Sequence, residues 1–285
     1  MNPAPKLADS LDLGPVHITV TDLDRSVGFY QDAIGLQVRE RSDTEASLGA
    51  GGEELLHLVE SRDARPAGRH AGLYHFALLH PSREELARAT ARLVATRTPI
   101  SGASDHGISE AIYLPDPDGN GIELAADRSR DRWGDLSDPT TIGPQPLDLE
   151  GLLATVAAGQ PQRHADPSLA VGHLHLHVGD VDQGLGFYRE VIGFEAQTLF
   201  PSAAFVSVGG YHHHLAFNTW RGEGAPPAPE DAVGLRHWTV QLDVPDLEAV
   251  QRRLADAGID VEACDGGVLV RDPWNNALLL AGRGA

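Results

Sequence analysis

Residues 16–20 alternate, with Val16, Ile18 and Val20 on one side and His17 and Thr19 on the other, the period of a half-buried strand. Asp22, Leu23 and Asp24 then open a helix that runs to about Ala33, with Val27, Tyr30 and Ile34 at helical spacing. Strand-like stretches follow at 36–42, 45–50 and 54–60, so the unit reads βαβββ. A second unit begins with a strand at 73–79. It continues with a helix from Ser82 to about Thr96 and finishes with strands near 99–103, 109–114 and 121–126. Third and fourth units start near 173 and 236. Their helices span about 181–191 and 246–257, the latter closed by Gly258.

The pattern is also a repeat of residues. VHITVTDLDRSVGFYQDAIG, from Val16, returns as LHLHVGDVDQGLGFYREVIG from Leu174, which sets His17 opposite His175. DPDGNGIELAA, from Asp116, returns as DPWNNALLLAG from Asp272, which sets Glu123 opposite Leu279. Matches at both ends in the same order predict two tandem α+β domains of two modules each, at 13–127 and 171–282. Residues 128–170 between them are polar, punctuated by Pro and Gly, and predict a surface linker with one short helix.

Three strands carry a polar residue opposite an apolar face. His17 faces away from Val16 and Ile18, His75 from Tyr74, Phe76 and Leu78, and Glu123 from Ile122 and Leu124. Taken singly, each histidine reads as an ordinary hydrogen-bonded side chain. Together with an acid inside an apolar strand they predict a metal centre on the interior of a curved sheet, because a buried carboxylate demands a cation or a proton. Two imidazoles and one carboxylate leave open positions on a metal, as in non-haem Fe(II) oxygenases.

Composition narrows the classes. One cysteine, Cys264, is too few for a thiolate zinc site, so any metal takes His and carboxylate ligands. A formal net charge of -19 opposes attraction to nucleic acid or anionic lipid. No apolar run of membrane-spanning length occurs and the first residues do not resemble a signal peptide, so a cytoplasmic protein is expected.

His on a first strand, D-L-D-x-S-x-x-F-Y on the helix, a second His-bearing strand and D-P-D-G-N-x-I-E together resemble the vicinal oxygen chelate superfamily. That family includes glyoxalase I, fosfomycin and bleomycin resistance proteins and extradiol dioxygenases. Within it, GLYHFALLHPSREELA, DHGISEAIYLPDPDGNGIELAADR and GYHHHLAFNTW resemble the two-domain catechol 2,3-dioxygenases. The resemblance implies that each domain forms a curved, half-barrel sheet. It also implies His17, His75 and Glu123 as ligands of Fe(II), with Mn(II) as the alternative, dioxygen as co-substrate and a small aromatic diol as substrate. By the same resemblance His106 hydrogen-bonds the catechol, Tyr113 stands beside its metal-bound hydroxyl, and His57 is the acid/base near dioxygen.

Two other readings stay open: a glyoxalase-like isomerase or lyase, which calls for a second carboxylate, and a binding protein of the bleomycin-resistance type, which needs no metal. The C-terminal copy keeps His175 and His237 but has Leu279 in place of the acid, so it is expected to lack a full triad. A second metal on His175, His237 and one of the consecutive histidines, such as His213, is the alternative there. Exposed edge strands predict a homo-oligomer.

Overall fold

A computed structural model describes residues 6–9, 11–138, 143–156, 161–264 and 266–284. The first βαβββ unit comprises β1 (Asp12–Val20), α1 (Leu23–Phe29), β2 (Gln37–Arg41), β3 (Glu45–Gly49) and β4 (Glu54–Glu60). The second comprises β5 (Gly72–Leu79), α2 (Arg83–Thr96), β6 (Gly102–Asp105), β7 (Ser109–Pro115) and β8 (Gly121–Asp127). A two-residue strand β9 (Gln145–Pro146) and a short helix α3 (Leu149–Leu153) lie in the connection. The third unit is β10 (Ala170–His177), α4 (Val181–Leu185), β11 (Glu195–Phe200), β12 (Ala203–Ser207) and β13 (Leu215–Asn218). The fourth is β14 (Gly234–Leu242), α5 (Val244–Asp256), β15 (Val261–Cys264), β16 (Gly267–Arg271) and β17 (Ala277–Gly282).

The α+β class and its four modules are as the sequence predicts, in two mixed, curved and open sheets. The partnership between modules is not. One sheet runs β15-β16-β17-β14-β1-β4-β3-β2 and joins the first unit to the fourth. The other runs β11-β12-β13-β10-β5-β8-β7-β6-β9 and joins the second to the third. Both joints are antiparallel pairs of first strands, β1 with β14 and β5 with β10, and they set His17 against His237 and His75 against His175. Each sheet therefore draws on both copies of the sequence repeat.

The helix layer keeps the other pairing. Arg92 of α2 is buried and donates from Nη2 to the carbonyl of Ile34 at 2.9 Å, where the first unit's helical segment ends. Arg253 of α5 does the same for the third unit, from Nε to Val191 O at 2.8 Å. The repeated Phe-Tyr and Asp-Pro motifs belong to this joint. Tyr30 donates its hydroxyl to Asp116 at 3.1 Å and Tyr188 to Asp272 at 2.9 Å, all four buried. Asp116 also accepts the backbone N–H groups of Asp118 and Asn120, each at 2.8 Å, which shapes the turn before β8. That turn passes through the left-handed region at Gly119 (φ 87°), and Asn275 (φ 68°) takes the equivalent place before β17.

Local signals account for the helix starts. The Asp22, Ser82 and Asp180 side chains accept the backbone N–H three residues on, capping α1, α2 and α4. Val16, Ile18, Phe76, Leu78, Ile122 and Leu124 are fully buried on the apolar faces of their strands, so the intervening residues point to the opposite, concave side. The connection does more than span the surface: β9 pairs with β6 at the sheet edge, and Gly143 and Pro144 line a cavity on the concave side.

Candidate metal centre

Three neighbouring strands, β10, β5 and β8, build the site. Ala77 on β5 is in register with His173 on one side and with Glu123 on the other, and His75 lies two residues along the same face. The small Ala77 side chain between them leaves room for the two long ones to converge. Glu123 Oε2 lies 3.0 Å from His75 Nε2 and 3.1 Å from His173 Nε2, and the three ligand atoms lie within 4.8 Å of one another. All three residues are buried.

The donor set fits a divalent cation. Bonds of about 2.0–2.2 Å from a metal to imidazole nitrogen and carboxylate oxygen put neighbouring ligand atoms about 3 Å apart. His75 Nε2 is buried and, despite its closeness to Glu123, makes no hydrogen bond of acceptable geometry, which leaves its lone pair aimed into the cluster. Burial opposes ionisation of Glu123, but attraction and hydrogen bonding from His173, with attraction from the nearby His75, outweigh it and hold the carboxyl well below its ordinary range. An ionised acid and a free imidazole lone pair are what a metal requires.

Two flanks frame the cluster. On the β7 side, Tyr113 is in register with Glu123, and its Oη lies 2.8 Å from His106 Nε2. Burial, with Glu123 nearby, pushes the Tyr113 hydroxyl above its ordinary range, so it stays protonated. On the β13 side His213 packs against His173, ring centroids 4.1 Å apart, and burial and neighbouring imidazoles push it well below its ordinary range. His212 reaches back from it, Nδ1 to Nδ1 at 2.7 Å, and pairs through Nε2 with Asp127 at 3.0 Å. His75, Glu123, His106, Tyr113 and His213 all line one cavity of about 540 Å³.

Two predicted site residues go elsewhere. His17 is not a neighbour of His75 and Glu123: β1 belongs to the other sheet, where His17 stacks between His57 (4.5 Å) and His237 (3.9 Å). His173 stands in its place. His57 likewise faces Glu54 Oε1 at 2.9 Å and Glu45 Oε2 at 3.2 Å rather than the metal cluster, whereas His213 lines the cavity beside it. The alternative set of His175, His213 and His237 is divided between the sheets, with His175 Nε2 hydrogen-bonded to Asn218 at 2.8 Å. The cause is the module pairing. The repeat aligns His17 with His175, but His173, the histidine beside Glu123, lies one strand period earlier, where the first copy has Pro15.

The model of the Glyoxalase/Bleomycin resistance protein/Dioxygenase superfamily matches residues 12–124 and 170–279. A Bacillus subtilis (strain 168) protein named catechol-2,3-dioxygenase is 40% identical over 275 residues, covering 94% of this chain and 95% of that protein. A Bacillus subtilis crystal structure provisionally named a dioxygenase superposes with a TM-score of 0.68 at 14% identity, covering 99% of this chain and 87% of that one. Glyoxalase I from Zea mays gives 0.60 at 16%, covering 96% and 92%. With both repeats matched by one model, the chain belongs to the glyoxalase, bleomycin resistance and dioxygenase superfamily.

Proposed function

We propose that this protein is an extradiol ring-cleavage dioxygenase acting on a catechol-type aromatic diol, with Fe(II) held by His75, Glu123 and His173. The observation that carries the reading is the cluster itself: two imidazole nitrogens and one carboxylate oxygen, buried together, with His75 and Glu123 lining a cavity of about 540 Å³. The relative named catechol-2,3-dioxygenase, similar along nearly the whole chain, supports it. The cluster contains one carboxylate, which disfavours an isomerase site built on two.

Bound Fe(II) would supply coordination of two adjacent diol oxygens and a path for electrons between ring and dioxygen, and Mn(II) suits the same ligands. The chain's own residues do the rest. Tyr113, kept protonated, offers its phenol proton to a diol oxygen, and His106 at 2.8 Å orients it by donating from Nε2. His213 stands on the opposite flank, within the cavity, where an imidazole can carry a proton to or from the side that dioxygen approaches. Edge strand β15 is exposed at every residue from Val261 to Cys264, and the homo-oligomer expected of such edges belongs to the same proposal. Only monomers by light scattering would reject that part.

The test is anaerobic loading with Fe(II) or Mn(II), then catechol and air. The expected result is the coloured ring-opened product with one dioxygen consumed per product. Metal binding with no oxygen uptake across a catechol panel would replace this reading with the isomerase or binding one.

A further inference from the structure

Beyond the metal and the diol, the cavity has a second, chemically distinct part. Phe200, Ala203 and Phe205 approach from β11 and β12, Trp220 from the segment after β13 and Tyr74 from β5. These rings touch one another and the imidazoles in sequence: Phe200 to Phe205 at 5.9 Å, Phe205 to His213 at 5.1 Å and to His175 at 5.8 Å, and Trp220 to His175 at 5.3 Å and to Tyr74 at 5.4 Å. The indole N–H of Trp220 is directed at Ser202 Oγ (3.2 Å), which fixes the ring, yet the side chain is 54% exposed and so stands at the mouth. An aromatic wall thus runs from the metal cluster to solvent.

No lysine or arginine lines this cavity among the described residues, and its polar groups away from the cluster and its flanks are the Tyr74 phenol, the His175 imidazole, the Trp220 indole and the hydroxyls of Ser104, Ser109 and Ser202. Residues 139–142, next in the chain to the lining residues Gly143 and Pro144, carry no charged side chain. Arginines are available nearby but face elsewhere: Arg221, Arg236 and Arg271 line a separate cavity of about 470 Å³. A carboxylate entering the aromatic part would shed its water with no lysine or arginine among the described lining residues to replace it. A hydrocarbon substituent would meet the rings instead, gaining in proportion to the apolar area covered.

We propose that this site selects neutral catechols bearing an apolar substituent up to aryl size and rejects those bearing a carboxylate, with Phe205 and Trp220 as the selecting wall. The proposal rests on the ring-cleavage reading for its substrate but not for its test. Binding of catechol, phenyl-substituted catechol and protocatechuate is measured calorimetrically under nitrogen on the Fe(II)-loaded protein, and kcat/KM is measured in air. The phenyl catechol should exceed protocatechuate on the order of a hundredfold or more in both. Trp220→Arg, at the exposed mouth, should shift the ratio toward protocatechuate by at least about tenfold. Failure to cleave any diol, with the binding preference intact, would remove the enzymatic reading and keep the selectivity. Equal binding of protocatechuate and phenyl catechol, or a ratio unmoved by Trp220→Arg, would overturn the selectivity whatever the turnover.

Discussion

The two sheets are built alike and their concave faces differ. At equivalent places the nine-stranded sheet has His173, His75 and Glu123, and the eight-stranded sheet has Pro15, His237 and Leu279. Only one of three ligands survives in the second set. The second face instead holds the stack His57–His17–His237, with burial pushing His17 down to about 3 and His237 to about 4. Neutral stacked rings are a packing arrangement, whereas two imidazole nitrogens and a carboxylate oxygen on the first face lie within 4.8 Å of one another. The difference teaches that histidine count says little about a metal, and that one residue per strand, at the correct alternation, decides which face is a centre.

The comparison can be broken most directly by exchanging losses. His173→Ala should cut bound metal at least about tenfold by elemental analysis, while His17→Ala leaves the stoichiometry at the wild-type value. Metal lost from His17→Ala and retained by His173→Ala would restore the first expectation and remove the cluster described here. Next in size, Tyr113→Phe should keep its metal and lower kcat about a hundredfold, because it removes one oriented donor. Unchanged turnover would take the tyrosine out of the reaction. A gain is the sharper test: Pro15→His with Leu279→Glu should complete a triad around His237 and raise zinc binding from one to two ions per chain, the second weaker. A ratio that stays at one would show that backbone register differs more between the sheets than the pairing indicates.

The smallest effect is on stability against pH. His17 and His237 have folded-state values below the unfolded value near 6.5, so the unfolded chain binds more protons under mild acid. Their contribution to stability is complete above about pH 6.5 and is lost as pH falls toward 4 and 3. His17→Leu should flatten the decline in urea-unfolding free energy between pH 6.5 and 4 by up to about 1.4 kcal/mol per pH unit. An unchanged slope would mean that His17 is protonated in the folded protein.

Much of this was legible in the chain. The repeat and its alternation gave the four modules, and His75 and Glu123, each opposite a run of buried apolar residues, were readable as a pair that must share a cation. His106 and Tyr113 were readable only through family resemblance, and the structure brings them together at 2.8 Å. The third ligand was hidden because a strand's sequence announces which of its faces is polar but not which strand it will lie beside. His17 satisfies every local criterion, and β14 rather than β5 is its neighbour. His213 was hidden differently, among three consecutive histidines of which periodicity favours none. The H-x-H-x-H of β10 was the available signal, since only its middle histidine, His175, has a histidine opposite it in the first copy.

The nested partnership of modules also sets an order of assembly during synthesis. The second and third units, which contain every proposed ligand, are contiguous, so their sheet has all its strands once about residue 218 has emerged from the ribosome. β1 must wait for β14, more than two hundred residues later, and long-range pairing of this kind is slow. At roughly 5–20 residues per second the delay is about ten seconds or longer, during which the earliest strand has no permanent partner on one side. The nascent chain thus has its metal-binding half ready first and its oldest segment exposed longest, which makes residues 12–60 the stretch most in need of protection by a chaperone.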